Sequence, residues 1–150
     1  MGQHSSGRTA VAVGSVRQAY GTMRFAFTIA PILAGLDKFF HVLVDWNKYL
    51  APIIPQTLHV PPGTFMHAVG IVEIIAGIIV ALWPLVGGWL VAIWLWGIIV
   101  NLLIIPGYYD IALRDFGLSL GAISLARLAT VFDVRTARTF SDAEERVRAA

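Results

Sequence analysis

The chain has 150 residues, 57% of them hydrophobic and 13% charged, with a formal net charge of +2. Soluble domains are nearer about 45–50% apolar and about 25% charged, so with a mean hydropathy of +0.74 the sequence reads as one compact integral membrane domain. It has no Cys, which excludes disulfides, thiolate metal sites, iron–sulfur clusters and cysteine catalysis. The pI near 9.3 follows from Arg at the chain ends and makes no case for nucleic acid.

Residues 1–24 form a polar, basic tail with Arg8, Arg17 and Arg24, and no apolar core of signal-peptide length. "MGQHSS" fits the short myristoylation pattern through Gly2 and Ser6. Four apolar segments follow, at about 25–44, 66–83, 85–105 and 116–132. Each is near the ~20 residues that cross a ~30 Å hydrocarbon core. Pro31 is expected to kink the first helix. The 45–65 connection carries Pro52, Pro55, Pro61 and Pro62, so it cannot be one regular helix, although "DWNKYLA" can extend the first helix until Pro52. Pro84 with Gly87-Gly88 reverses the chain between the second and third segments, and "PGYYD" does so between the third and fourth. Such short connections force antiparallel neighbours. Residues 133–150 form a tail with Arg135, Arg138, Arg146 and Arg148, in which Ser141 and Glu144 have the spacing of a capping box for a short surface helix. The expected fold is all-α, an integral membrane four-helix antiparallel bundle over 25–132.

Cytoplasmic ends of membrane helices carry an excess of Lys and Arg. Both tails are Arg-rich, whereas the 45–65 connection has only Lys48 and the Trp83–Gly88 turn has no cation. Both termini are therefore expected in the cytoplasm, in a bacterial inner membrane. Trp46, Tyr49, Tyr108 and Tyr109 would form an outer aromatic belt, with Trp83 and Trp89 on the inner side.

That orientation gathers the polar residues of the helices into one membrane layer. Asp37, Lys38 and His41 lie in the outer half of the first segment, and His67 and Glu73 in that of the second. Asn101 ends the third, and Arg114 and Asp115 open the fourth. At about 100° per residue, Asp37, Lys38 and His41 share an arc with Ala30 and Ala34. Glu73 shares one with Gly70 and Gly77, and Arg114 with Gly117, Gly121 and Ser124. Small residues mark close helix packing in membranes, so these charges are expected to point into the bundle. A charge at a helix centre costs roughly 2.5–3.5 kcal/mol on insertion scales. Pairing offsets that cost, with Lys38–Glu73 and Arg114–Asp37 as the sensible pairs. Intramembrane ionisable residues suggest function by default; the plainer reading is a charge network that fixes helix register.

"LAGLDKFF" (33–40), "GIVEIIAGIIV" (70–80) and "RDFGLSLGAISLARL" (114–128) together resemble the DoxX-like family of small four-helix membrane proteins. The resemblance covers about residues 25–131 and implies that Lys38, Glu73, Arg114 and Asp115 are family-typical positions. It implies service to a redox system, since some relatives are linked to quinone-coupled oxidation and others are thought to partner redox enzymes.

Two readings of different class stand open. In one, Asp37, Lys38, His41, Glu73, Asn101, Arg114 and Asp115 bind a quinone head group, with membrane lipid around the protein and electrons supplied by a partner. In the other, the chain is an accessory subunit of a larger, respiratory-type membrane complex or a homo-oligomer, and its charges are structural. Whether it is an enzyme, and which residue would be catalytic, the sequence leaves open. A b-type haem between His41 and His67 is the weaker alternative, because His67 points away from Glu73. No protein metal site is expected.

Overall fold

The computed structural model of the chain describes the backbone of residues 3–148 and the side chains of residues 13–132. Its elements are α1 (Gln3–Phe40), a 3₁₀ turn (Trp46–Tyr49), α2 (Ile53–Leu58), α3 (Pro62–Leu82), α4 (Pro84–Ile104) and α5 (Tyr109–Arg148). The fold is all-α. Four stretches are long and apolar enough to cross a membrane: Val13–Phe40, Pro62–Leu82, Pro84–Ile104 and Tyr109–Phe132. The protein is thus an integral membrane helical bundle.

Prolines set the helix starts. Pro62 and Pro84 each occupy the first turn of a helix, where a missing N–H removes no bond. Pro84 ends α3 because its ring cannot continue the ladder, and Trp83 takes an extended φ of −132° between the two helices. The reversal is tight. A Cβ on Gly87 would lie 2.5 Å from Val80 Cα, so only glycine fits. Gly107, with φ of +96°, makes the turn between α4 and α5.

The helices associate as two close antiparallel pairs, α1 with α3 and α4 with α5; the pairs meet each other over smaller interfaces. Glycines permit each approach. Gly70 meets Gly35 and Gly77 meets Thr28 across α1–α3, while Gly88 rests on Ala122 and Ala126 across α4–α5. One apolar cluster, of Ala76, Val80, Val91, Ala92, Ala122 and Leu125, fills the bundle towards the α3–α4 turn. A second, of Ile99, Leu102 and Ala112, lies at the opposite end beneath Tyr49 and Tyr108. Large apolar side chains such as Ile71, Ile93, Leu113 and Leu120 point outward, as a lipid-solvated bundle requires.

Several expected boundaries move. The first helix ends at Phe40, not Val44, and "DWNKYLA" does not extend it. The cause is local. His41 takes φ of +53° and donates its N–H to the Asp37 carbonyl, 2.7 Å away, a left-handed helix stop. The Asp37 carboxylate then accepts the N–H groups of Val42 and Leu43, each at 2.9 Å. The helix starts at Gln3, so most of the polar N-terminal segment is helical, and α1 runs through Pro31. The fourth helix begins at Tyr109 and continues to Arg148 without a break, so the stretch from Ser141 is the end of α5, not a separate helix. The Gly2–Ser6 myristoylation pattern and the Ser141–Glu144 capping pair lie outside the described side chains.

Candidate functional site

Between the two helix pairs lies a cavity of about 530 Å³, within the ordinary range of small-ligand pockets. Each spanning helix contributes a stripe at helical spacing. On α1 the stripe runs from Ala26 through Ala30 and Ala34 to Lys38, about 18 Å of helix. Opposite it stand Met66, Val69, Glu73 and Ala76 of α3 and Val91, Trp94, Ile98 and Asn101 of α4, with Ile111 to Leu118 of α5 closing the wall. Val44, Trp46, Tyr49, Leu50 and Ile54 of the first connection roof one end. The end towards the α3–α4 turn is apolar; the roofed end carries the charges. The alanines and Gly97 explain why space remains: no side chain of size projects from them.

Lys38 and Glu73 form the heart of the polar end. Lys38 Nζ lies 2.5 Å from Glu73 Oε2, and the two side chains are only 3% and 9% exposed. The ammonium also lies 3.7 Å from the Trp46 ring centroid and 3.5 Å from the Ala34 carbonyl oxygen. A cation over an indole face gains about 0.5–2 kcal/mol. Removing one partner of such a buried pair typically costs about 3–5 kcal/mol, because the other charge is stranded.

The other expected site residues divide. Asp37 is buried but faces the connection, where its Oδ2 accepts the Trp46 indole N–H at 2.7 Å; it does not line the cavity and does not pair with Arg114. His41 is exposed, lies beyond the end of α1 and does not line the cavity, so the expected arc of Asp37, Lys38 and His41 reduces to Lys38. Asn101 lines the cavity, yet its amide is engaged. Its Oδ1 accepts the Ala51 N–H at 2.9 Å and its Nδ2 donates to the Tyr49 carbonyl at 2.6 Å. Arg114, expected to point into the bundle, and its neighbour Asp115 end in opposite environments. Asp115 is buried, whereas the Arg114 side chain is 64% exposed and bonds Asp115 Oδ1 at 3.0 Å. The reason is the register of α5. Its buried stripe is Ala112, Asp115, Ser119, Ala122, Ala126 and Ala129; a Cβ on Gly117 would meet nothing, whereas one on Gly121 would lie 3.0 Å from the Phe27 ring of α1.

His67 also departs from the haem reading. Its ring stacks on Phe39 at 4.9 Å, and neither His41 nor His67 lines the cavity. Among the described residues no group of three or more His, Cys, Asp or Glu could hold a metal ion.

Two features escape the sequence reading. Arg24 donates to the Ala81 carbonyl, filling an orphan acceptor at the C-terminus of α3. Trp94, which the pattern of α4 suggests is packing, places its Nε1–H in the cavity wall, buried and without a hydrogen-bond partner. It lies beside the Glu73 carboxylate but outside hydrogen-bond geometry with it. A lone polar atom in an otherwise apolar helix face is the signal that could have found it.

Comparison with protein families, with curated proteins and with solved structures finds no match for this chain. The DoxX-like resemblance therefore rests on its motifs, and the four-helix membrane character on helix length and composition.

Proposed function

We propose that the protein binds an amphiphile in this cavity, a quinone first and a lipid second, as the membrane subunit of a redox system. The observation that carries the proposal is the union of a 530 Å³ space with a buried Lys38–Glu73 pair at one end and an alanine-lined apolar foot at the other. Such a space suits a polar head with an apolar body. The motif resemblance to DoxX-like proteins supports the redox setting. We further propose that both termini are cytoplasmic, so that the polar end faces the outer leaflet. Arg17, Arg24 and Arg127 lie on the side of the α3–α4 turn with the tails, against Lys48 and Arg114 at the other end.

The test is quinone retention in gently solubilised protein, compared with Gly97→Leu. Gly97 lines the cavity and a Cβ there meets nothing within 4 Å. The added side chain fills the space without touching the charges, and replacing a mid-helix Gly favours the helix by up to about 1 kcal/mol. Wild type should retain quinone and stably folded Gly97→Leu should not. Equal retention, or none in wild type, overturns the proposal.

The second reading, an accessory subunit of a larger membrane complex, draws on how fully the polar groups serve the fold. Asp37 and Asn101 both hold the connection in place. Its mark would be a stoichiometric membrane partner co-purifying with a quinone-free protein.

A further inference from the structure

On the binding-site reading above, the class of ligand follows from which polar groups of the cavity wall are already engaged. An ammonium has three N–H donors. Those of Lys38 face Glu73 Oε2, the Ala34 carbonyl and the Trp46 ring, which leaves none for a ligand. The Trp46 indole N–H is held by Asp37, and the Asn101 amide by Tyr49 and Ala51. Arg114 gives its Nε–H to Asp115, and its remaining N–H groups sit on a side chain that is 64% exposed and can be satisfied outside the wall. Among these wall residues the buried donor without a partner is Trp94 Nε1–H, which lies beside the Glu73 carboxylate but out of hydrogen-bond geometry with it. Buried donors are almost always paired in folded proteins, so an unpaired one on a residue of the cavity wall is the group that an acceptor from outside the chain would satisfy.

The charges of the wall also balance. Lys38 is paired with Glu73, and Arg114 with Asp115. An anionic head group would meet two carboxylates and no free cation. A cationic one would have to displace Lys38 or Arg114. A neutral head disturbs neither pair.

We propose that the cavity takes a neutral amphiphile whose head carries a carbonyl-type oxygen, that Trp94 Nε1–H donates to this oxygen, and that the apolar body extends towards Ala26 and Phe27. Trp94 is then the residue that reads the head group, and Lys38–Glu73 is the fixed polar wall beside it. Quinones and long-chain ketones belong to this class. Fatty-acid anions, phospholipid head groups and quaternary ammonium compounds do not.

The test uses the full chain in zwitterionic-lipid nanodiscs and three probes with the same tail: a decyl-substituted benzoquinone, undecanoate and decyltrimethylammonium. Binding isotherms and the indole ¹H–¹⁵N resonances of the five Trp are followed together. The quinone should bind saturably, and the Trp94 resonance, assigned through its backbone, should shift downfield in step. Trp94→Phe should weaken binding roughly fivefold, the worth of one neutral hydrogen bond. Trp96→Phe, on the Phe116 side of α4 and outside the cavity wall, should not change it. Tighter saturable binding of either charged probe overturns the neutral class while leaving the cavity a binding site. Undiminished quinone affinity in folded Trp94→Phe overturns the role of Trp94. If that variant does not fold, a wild-type Trp94 resonance unmoved at quinone saturation does the same. Saturable binding of none of the three overturns the binding-site reading itself, and this inference with it.

Discussion

Gly35 and Gly70 meet backbone to backbone across the α1–α3 seam. A Cβ on Gly35 would lie 2.5 Å from the Gly70 carbonyl oxygen, and a Cβ on Gly70 would lie 2.6 Å from that of Gly35. Neither contact can be relieved by a side chain turning aside, because the obstacle is backbone. Gly70→Ala should therefore push the pair apart and destabilise the bundle by about 1–3 kcal/mol. Gly117→Ala, where a Cβ meets nothing, should be neutral or stabilising by up to about 1 kcal/mol. Thermal unfolding in one detergent decides it, and equal effects would contradict the seam.

The Lys38–Glu73 pair makes a different demand. Glu73→Leu alone strands a buried ammonium and should cost about 3–5 kcal/mol. Glu73→Leu with Lys38→Met removes both charges and should recover much of the loss. The measurement is again unfolding of the single and double variants. A double variant no more stable than the single one would show that the two are not energetically coupled.

Asn101 binds the first connection through both ends of its amide. Asn101→Leu leaves the Ala51 N–H and the Tyr49 carbonyl without partners, each worth about 1–3 kcal/mol when buried. Asn101→Asp keeps the acceptor for Ala51 and loses the donor for Tyr49. Amide hydrogen exchange at Ala51 should accelerate strongly in the first variant and little in the second. Protease nicking within residues 41–61 should follow the same order.

Topology is tested independently of any ligand. A reporter active only outside the cytoplasm should give signal when fused at Gln56 and none when fused after Ala150. The reverse pattern would turn the polar end of the cavity inward.

Much of this was legible in the residues. The four spans stand out from apolar runs bounded by proline, and the Lys38–Glu73 pair follows from depth and helical angle. Gly70 and Gly77 mark the α1–α3 seam as small residues in membrane helices do. His41 misleads because helical angles hold only while the helix lasts. Its left-handed φ ends α1, and histidine is among the residues that tolerate that conformation. Asp37 misleads for the same reason: its partners Val42, Leu43 and Trp46 belong to a turn that periodicity cannot describe. On α5 two stripes of small residues compete. Nothing local says that Ala112, Ala122 and Ala126 pack while Gly117 faces open space. The empty volume is the least legible feature, because it depends on how far apart two helix pairs stand.

The two pairs are joined at one end by the Trp83–Pro84 break, where Gly87 lets α4 lie on Val80. At the other end the first connection is tied to α1 through Asp37 and to α4 through Asn101. The protein is built like a locket, with a hinge at Pro84 and a clasp at Asn101. Both ends of the cavity are thus tied by the protein's own chain, so its long sides are the walls that the bilayer meets.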